Sequence, residues 1–262
     1  MKRIHLIEFE DLSGFPQWIR SCMTRLIMVM HRLIGTQKKV AELLNRLIEQ
    51  TGKKTIVDYC SGSGGPMPGV LESLKTIYGK DDVNLILSDL YPDNAAIQKF
   101  NEGEESAIKY LPEPVNVIQT KLDINGIRTM IGSFHHFRPD DARNILKDAQ
   151  HNKQPICIFE LSDNSTPIFL WWISAPINFI MALFITPFVR PMTFQQLFFT
   201  YLIPIIPVFF AWDGAVSNAR TYTQDDLNEL LDGLPKNNYT WESGKFEGKT
   251  NQIYLLGYPD EK

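Results

Sequence analysis

Apolar and polar residues alternate along the first fifty residues with the period of an α-helix. One apolar stripe, interspersed with arginines, predicts a helix over 17–34, and a second predicts a helix that ends at Thr51 and Gly52. The stripes consist of Ile19, Cys22, Met23, Leu26, Ile27, Met30, Leu33 and Ile34, and of Val40, Leu43, Leu44, Leu47 and Ile48. Residues 1–50 are therefore predicted to form an N-terminal helical cap.

After residue 50, short apolar runs alternate with helical patterns. Strands are predicted at 55–60, 83–90, 115–123, 130–137 and 155–161, and helices at 69–79, 93–108 and 139–150. Strands and helices of these lengths, taken in alternation, predict parallel βαβ units. Residues 51–165 are therefore predicted to form an α/β, doubly wound, Rossmann-like core.

The first predicted strand runs into a glycine-rich stretch, IVDYCSGSGGPMPG at 56–69. Glycine costs conformational entropy, so such a run indicates a backbone that turns sharply or approaches a ligand. Ligands of doubly wound sheets bind beyond the carboxyl ends of the strands. Asp58, Asp89 and Asp123 end the first three predicted strands, and an acid after the second strand is suited to accept both hydroxyls of a ribose.

The glycine-rich loop differs from two common phosphate-binding loops. No Gly-Lys-Ser/Thr follows it, which excludes a P-loop. Pro66 stands where the dinucleotide fingerprint needs a small residue. A cofactor with a ribose and an adenine but no phosphate fits these residues, and a tight turn without a ligand is the alternative.

The run IVDYCSGSG resembles the first motif of the class I S-adenosylmethionine-dependent methyltransferases, an apolar strand, an acid and Gly-x-Gly. The resemblance covers roughly residues 50–163 and resumes at 220–262. There TYTQDDLNELLDGL resembles the family's late helix, and YTWESGKF with NQIYLLGYP resembles its closing antiparallel hairpin. The resemblance implies a doubly wound Rossmann-like methyltransferase sheet with a C-terminal antiparallel hairpin, an N-terminal helical cap and a hydrophobic helical insertion.

The resemblance also implies S-adenosylmethionine as the cofactor. Asp58 then serves its methionine end, Asp89 its ribose and Asp123 its adenine. The residues implied to contact it are Asp58, Cys60, Gly62, Gly64, Asp89, Leu90, Asp123 and Ile124.

Candidates for catalysis stand at the ends of the fourth and fifth predicted strands. Transfer to a hydroxyl requires positioning of the acceptor and removal of its proton. His135 and His136 are candidates for the general base, because an unperturbed imidazole titrates near neutrality, and packing against neighbouring phenylalanines is the alternative. Glu160 and Asp163 are candidates for contacting the acceptor, and no metal site is predicted because ligand spacing is lacking.

Residues 166–212 form a hydrophobic insertion, and from 164 to 212 the only formally charged residue is Arg190. The stretch 168–188 would measure about 31 Å as a helix, close to the thickness of bilayer hydrocarbon. Prolines interrupt the second half, 194–210. Three interpretations are open: a transmembrane hairpin, a re-entrant or monotopic hairpin in one leaflet, and an apolar lid over a pocket.

The insertion separates the fifth strand from the late helix, so it is expected to receive or cover the acceptor. This placement predicts a lipid or another lipophilic small molecule. The arginines of the first helix, Arg20, Arg25 and Arg32, suit an anionic membrane surface, and an ordinary amphipathic cap is the alternative. Within 213–262, which is predicted to complete the sheet, Asp213, Arg220 and Tyr222 join Asp163 as candidates for contacting a polar head group, with a structural Asp213–Arg220 pair as the alternative.

The composition of the chain limits the binding partners and the cellular compartment that are expected for it. A net charge of -4 and a pI near 5.8 argue against nucleic-acid binding. Three cysteines without metal spacing, in a chain that shows no signal-peptide pattern, indicate a reducing compartment. The predicted location is the cytoplasmic side of a membrane, with a soluble cytoplasmic enzyme as the alternative, and the oligomeric state is open.

The sequence thus predicts a methyltransferase that acts on a small-molecule or lipid acceptor, with a membrane-tethered cofactor-binding module as the alternative. Four stretches also resemble a group of bacterial methyltransferase-like proteins that carry the same insertion after strand five. These stretches are IEFEDLSGFPQWIR, VDYCSGSGGP, FHHFRPDDARNIL and WDGAVSNARTYT.

Overall fold

The computed structural model of the chain describes residues 3–102, 106–119, 124–165, 171–235, 238–246 and 251–260. Its helices are α1 (Gln17–Leu33), α2 (Thr36–Thr51), α3 (Met67–Tyr78), α4 (Asn94–Asn101), α5 (Pro139–His151), α6 (Trp171–Ile185), α7 (Phe194–Leu197), α8 (Ile205–Arg220) and α9 (Gln224–Leu231). Its strands are β1 (Thr55–Tyr59), β2 (Asn84–Ser88), β3 (Ile108–Tyr110), β4 (Ile127–Ile131), β5 (Ile156–Glu160), β6 (Tyr239–Lys245) and β7 (Ile253–Pro259). Short 3₁₀ turns occupy Phe9–Asp11, Phe134–His136 and Thr186–Phe188, and a π-helical turn occupies Phe198–Leu202.

The strands in the described part of the chain form one seven-stranded sheet in the order β3-β2-β1-β4-β5-β7-β6. Strands β1 to β5 pair in parallel, whereas β7 runs antiparallel to both β5 and β6. The chain starts at β1, moves outward to β3 and returns to β4 beside β1, so the strand order reverses between β1 and β4. The doubly wound sheet and its C-terminal antiparallel hairpin are thereby confirmed.

The helices of this sheet begin and end at recognisable signals. Gly52 and Gly79 adopt left-handed backbone conformations and end α2 and α3. Asp93 begins α4 because its side chain accepts the N–H groups of Ala95 and Ala96. These signals are local, which is why the sequence located the three helices.

The third strand differs from its prediction. It is Ile108–Tyr110 rather than 115–123, and the helix predicted over 93–108 ends at Asn101. The Asn101 side chain accepts the N–H of Tyr110 at 2.8 Å and donates to the carbonyl of Tyr110 at 2.9 Å. These two bonds satisfy the backbone polar groups of Tyr110 on the outer edge of β3.

The fourth strand also ends earlier than predicted. It comprises Ile127–Ile131 rather than 130–137. The strand ends there because Gly132 adopts a positive φ of 67° and the 3₁₀ turn Phe134–His136 follows. The two histidines therefore lie in a turn beyond the strand, and the expected alternation of their side chains across a sheet does not apply.

Contacts divide the chain into two compact units. The sheet unit consists of Gly35–Leu161 and Gln224–Lys262 and contains the sheet, α2–α5 and α9. The helical unit consists of Met1–Ile34 and Ser162–Thr223 and contains α1 and α6–α8. This division differs from the sequence-based one, since α1 and α2 belong to different units and the helical unit extends beyond residue 212.

Within the helical unit, α6 packs against α8 and both contact α1. Its core is apolar and consists of Phe15, Ile19, Cys22, Met23, Leu26, Val29, Ala182, Ile185, Val189, Ile206 and Phe210. Among the described residues, a bilayer-crossing length of apolar helix is reached only by joining Phe194–Leu202 to α8, two segments that meet at an 83° bend.

Candidate functional site

Asp58 lies next to the carboxyl end of β1, where the strand order reverses, and its side chain is buried. Its Oδ1 accepts the Thr129 hydroxyl of β4 at 2.6 Å, and its Oδ2 accepts the Ser61 hydroxyl at 2.7 Å. Burial raises the pKa of this carboxyl to about 7, and the two hydroxyl donors offset only part of that effect. The candidate site therefore contains a buried acid that titrates near neutrality.

The loop after β1 follows a left-handed backbone. The φ angle is 58° at Cys60, 52° at Gly62 and 103° at Gly64. A Cβ at Gly62 would meet nothing within 4 Å, whereas one at Gly64 would lie 2.9 Å from the Phe100 ring. Gly62 thus leaves open space at the carboxyl edge of the sheet, where a ligand is expected. Gly64 allows the loop to pack closely against Phe100 of α4. Cys60, at the start of the loop, is exposed.

Asp89 follows β2 and anchors this loop. Its Oδ2 accepts the N–H of Gly62 at 2.8 Å, and its Oδ1 accepts the N–H of Tyr91 at 2.8 Å. The Tyr110 hydroxyl donates to the Gly62 carbonyl at 2.7 Å. Each carboxylate oxygen has a second lone pair, so Asp89 retains capacity to accept ligand hydroxyls. Leu90, the next residue, is 42 % exposed.

Two more residues were implied to contact the cofactor, and Ile124, the one that the structure describes, does not join this group. Asp123 lies outside the described residues. The Ile124 carbonyl accepts the Gln154 side chain at 3.1 Å, just before β5 begins, and Ile124 itself precedes the start of β4. Five residues of β4, about 17 Å of strand, separate Ile124 from the carboxyl edge that carries Asp58. The predicted role of Ile124 is therefore wrong.

The loop after β3 lies at the carboxyl edge instead. The N–H of Val115 donates to the carbonyl of Asp89 at 2.8 Å, and Val115 is buried. Sequence reasoning missed this loop because the apolar run 115–123 resembles a strand. Pro112 and Pro114, which lack the N–H that a ladder needs, were the signal that could have found it.

The structure joins two of the catalytic candidates. His135 and Glu160 are both buried, and the Nδ1 of His135 lies 2.9 Å from the Oε2 of Glu160. The backbone N–H of His135 donates to the Oε1 of Glu160 at 3.0 Å. The carboxylate favours a proton on Nδ1, which makes Nε2 the basic nitrogen of the neutral ring. The His136 ring lies against the His135 ring, with centroids 4.4 Å apart.

Two of the head-group candidates belong to a buried ionic cluster of the helical unit. Arg220 pairs with Glu8 at 3.1 Å and with Asp11 at 2.6 Å. Asp213 accepts the backbone N–H groups of Phe9 and Glu10 at 2.7 and 3.2 Å. The suggested Asp213–Arg220 pair is therefore replaced by contacts that tie the N-terminal segment to α8.

The remaining head-group candidates are also buried. Asp163 accepts the Ser165 hydroxyl at 2.5 Å through Oδ1, and its carbonyl accepts the Asn218 amide at 3.0 Å. The Tyr222 ring lies 4.0 Å from the Arg3 guanidinium carbon. These contacts stabilise the helical unit.

Comparison with solved structures places this sheet among known folds. The plantazolicin methyltransferase BpumL in complex with SAH matches with a TM-score of 0.51 and 11 % identity, over 94 % of this chain and 98 % of that one. The protein has the class I methyltransferase fold. The mitomycin 7-O-methyltransferase MmcR matches with a TM-score of 0.46 and 15 % identity, over 80 % of this chain and 50 % of that one.

A third similar structure is an O-methyltransferase from neocarzinostatin biosynthesis, NcsB1, in complex with S-adenosylmethionine and 2-hydroxy-5-methyl naphthoic acid. It matches with a TM-score of 0.46 and 11 % identity, over 84 % of this chain and 56 % of that one. Of these three structures, the first alone exceeds a TM-score of 0.5, and the fold assignment rests on it. No family model and no curated protein sequence matches the chain.

The class I fold orders the candidate residues at one edge of the sheet unit. Asp58 lies near the carboxyl end of β1, and the Gly62 loop and Asp89 follow β1 and β2. His135 lies in the turn after β4, and Glu160 is the last residue of β5. This edge at the reversal of strand order is where doubly wound sheets bind ligands.

Proposed function

We propose that this protein transfers a methyl group from S-adenosylmethionine to a lipophilic small-molecule or lipid acceptor at a membrane. The observation that carries the proposal is the open, left-handed Gly62 loop held between Asp58 and Asp89 at the point where the strand order of a class I fold reverses. The structures similar in fold that are described as methyltransferases support the same reaction class.

The residues of the sheet unit fit this cofactor. S-adenosylmethionine, when bound, supplies a methyl group already activated by its positively charged sulfur. Asp58 offers a buried carboxyl that a nearby cation would favour in its charged form. Asp89 has spare lone pairs for ribose hydroxyls, and the exposed side chain of Leu90 offers an apolar surface for the adenine.

His135 and Glu160 are proposed to remove the acceptor proton. Glu160 fixes the ring of His135 through Nδ1, and the resulting carboxylate–imidazole pair suits a hydroxyl acceptor, whose proton must leave during transfer. Burial of both side chains excludes bulk water from the pair. His136 is proposed as a packing partner of His135 rather than as the base.

The lipophilic acceptor and the membrane are proposed from the surface of the helical unit. Large apolar side chains are exposed along α6 to α8, among them Phe184 at 73 %, Phe194 at 76 % and Leu202 at 70 %. Further exposed ones among the described side chains are Ile177, Ile180, Phe188, Leu197, Tyr201, Ile203, Val208 and Trp212. Proteins in water rarely present so many apolar side chains along one continuous segment, whereas a monotopic membrane protein buries them in one leaflet.

The cofactor assignment is tested by calorimetry of S-adenosylmethionine binding. The change Asp89→Ala is expected to weaken binding by about 1.5 to 3 kcal/mol, the value of a hydrogen bond to a charged group. Asp82→Ala is the matched control, because Asp82 precedes β2 at the opposite edge and pairs with Lys54. Absence of binding by the wild-type protein would overturn the proposed function, and equal affinities of the two variants would overturn the role of Asp89.

The acceptor and the membrane are tested together. Protein made in cells is expected to sediment with membranes, to resist a high-salt wash and to dissolve in detergent. Lipid extracts incubated with the protein and methyl-labelled cofactor are expected to yield labelled lipophilic products in mass spectrometry. A monodisperse protein in detergent-free buffer contradicts the membrane proposal. Cofactor binding without any labelled product would favour a binding module over an enzyme.

A further inference from the structure

Arg25 is a half-buried cation in the middle of α1, and its hydrogen-bonding neighbours among the described residues are neutral. Its Nη1 lies 3.5 Å from the Thr193 hydroxyl and 3.7 Å from the Cys22 sulfur, and no acid contacts it among the described residues. Burial raises the pKa of the Cys22 thiol, so the sulfur is not a thiolate at neutral pH. A guanidinium remains protonated, so this position lacks a counter-charge.

Other arginines of the helical unit bind backbone carbonyls, pair with acids or are exposed to solvent. Arg20 donates to backbone carbonyls of Glu10 and Leu12, and Arg190 donates to those of Pro187 and Val189. Arg220 pairs with two acids. Arg32, on the same helix as Arg25, is exposed to solvent. Arg25 therefore combines partial burial with the lack of an anion.

Two buried polar side chains follow Thr193 along the chain. Gln196 and Thr200 are both 0 % exposed, and neither the amide atoms of Gln196 nor the Thr200 hydroxyl has a hydrogen-bond partner in the described part of the chain. Buried polar side chains are nearly always paired. Thr193, Gln196 and Thr200 recur at helical spacing, so they extend one polar strip from Arg25 into the helical unit.

The opposite side of this segment is apolar and exposed. Phe194, Leu197 and Leu202 are 76 %, 44 % and 70 % exposed. The side of α7 and of the π-helical segment that carries Gln196 and Thr200 therefore faces the interior. A ligand that satisfies both sides carries an apolar chain and an anionic head with hydrogen-bond acceptors. Entry of the head requires movement of the segment, and π-helical turns are common at functional sites.

We propose that Arg25, Thr193, Gln196 and Thr200 bind the anionic head of an amphiphile, a carboxylate or a phosphate, whose alkyl chain lies against the apolar side of α7. The site lies within the helical unit and goes beyond the proposed methyl transfer, since it requires neither the cofactor nor turnover.

The test uses the full chain in a neutral maltoside detergent, with dodecyl phosphate as the probe and 1-dodecanol as its uncharged counterpart. Calorimetry is expected to show dodecyl phosphate binding that Arg25→Met and Gln196→Leu each weaken by about 10-fold or more, while Arg25→Lys keeps part of it. Arg32→Met is the matched control and is expected to bind as the wild type does. Should Gln196→Leu fail to fold, Thr200→Val replaces it.

Three outcomes overturn the site. These are equal affinity of Arg25→Met and Arg32→Met, binding of 1-dodecanol as tight as that of dodecyl phosphate, and unchanged affinity in a Gln196→Leu protein of higher melting temperature. Vesicles containing phosphatidylglycerol identify the source of the head group. Loss of both vesicle and dodecyl phosphate binding in Arg25→Met indicates a bilayer lipid, and loss of the latter alone indicates a free amphiphile. S-adenosylmethionine binding is expected to be unchanged in every variant, so failure of this site and failure of the proposed function are distinguishable.

Discussion

Replacement of Asp58 by asparagine is expected to stabilise the protein at alkaline pH and to weaken its binding of the cofactor. The side chains have the same shape, and the surrounding hydroxyls can accommodate the amide. Thr129 continues to donate to Oδ1, while Ser61 accepts from the new Nδ2 and donates to the carbonyl of residue 58, which lies 3.0 Å from its hydroxyl. Asp58→Asn therefore removes a buried charge without leaving a polar atom unpaired.

The magnitude follows from the pKa of Asp58. The ordinary value is 3.8, and burial raises it to about 7 in the folded chain. Between these values the folded chain holds a proton that the unfolded chain has released, so the stability contributed by this group falls as the pH rises through the window. At 1.36 kcal/mol for each pKa unit, the full loss above pH 7 is about 4 kcal/mol. Asparagine has no such loss.

The measurement is chemical denaturation of wild type and Asp58→Asn at pH 5 and pH 8, followed by far-ultraviolet circular dichroism. We expect the variant to gain about 3 to 5 kcal/mol of unfolding free energy at pH 8 and markedly less at pH 5. Calorimetry at pH 8 should show weaker S-adenosylmethionine binding, because the negative charge is gone. A difference between the proteins that does not change with pH would refute the reasoning, as would a variant that is less stable at pH 8. Asp82→Asn, at an exposed position, is the control.

Three further predictions concern packing, catalysis and the ionic cluster. Gly64→Ala is expected to lower the free energy of unfolding by about 1 to 3 kcal/mol, and by more than Gly62→Ala, because its Cβ would collide with a ring while that of Gly62 meets open space; thermal melting of the two variants compares them. His135→Ala is expected to slow turnover by about 10²- to 10⁴-fold with unchanged cofactor affinity, and full activity in a product assay would remove it from the mechanism. Arg220→Met is expected to cost about 3 to 5 kcal/mol in denaturation experiments, because it leaves Glu8 charged and buried, and a loss below 1 kcal/mol would contradict the importance of this pair.

Local patterns in the sequence were sufficient for much of the sheet unit. Strands such as β1 and β5 are short apolar runs bounded by turn residues, and their parallel pairing follows from the helices between them. The glycine-rich loop after Asp58 and the acid at position 89 also follow from residue type and spacing, since both features lie within one βαβ unit. The class I fold and the carboxyl edge of the candidate site were therefore predictable.

Errors arose where two patterns competed over a short distance. The run 115–123 is apolar enough for a strand, but the sheet uses three residues before it, because Asn101 completes the bonds of β3. That choice moved Ile124 to the amino edge of the sheet. The local periodicity does not distinguish a third strand at 108–110 from one at 115–123, because the deciding hydrogen bonds join residues in different elements.

The sequence by itself determined the type and order of most elements, because periodicity, glycine turns and helix caps act within a few residues. Only the tertiary structure decided which side chains meet: Glu160 with His135 across two strands, and Glu8 with Arg220 across some two hundred residues of chain. These partners are chosen by burial, since a charge removed from water must find its counterpart wherever the fold has brought one. The inward polar side of α7 has the same origin, because composition alone marked that segment as apolar and could not tell which of its faces would be exposed.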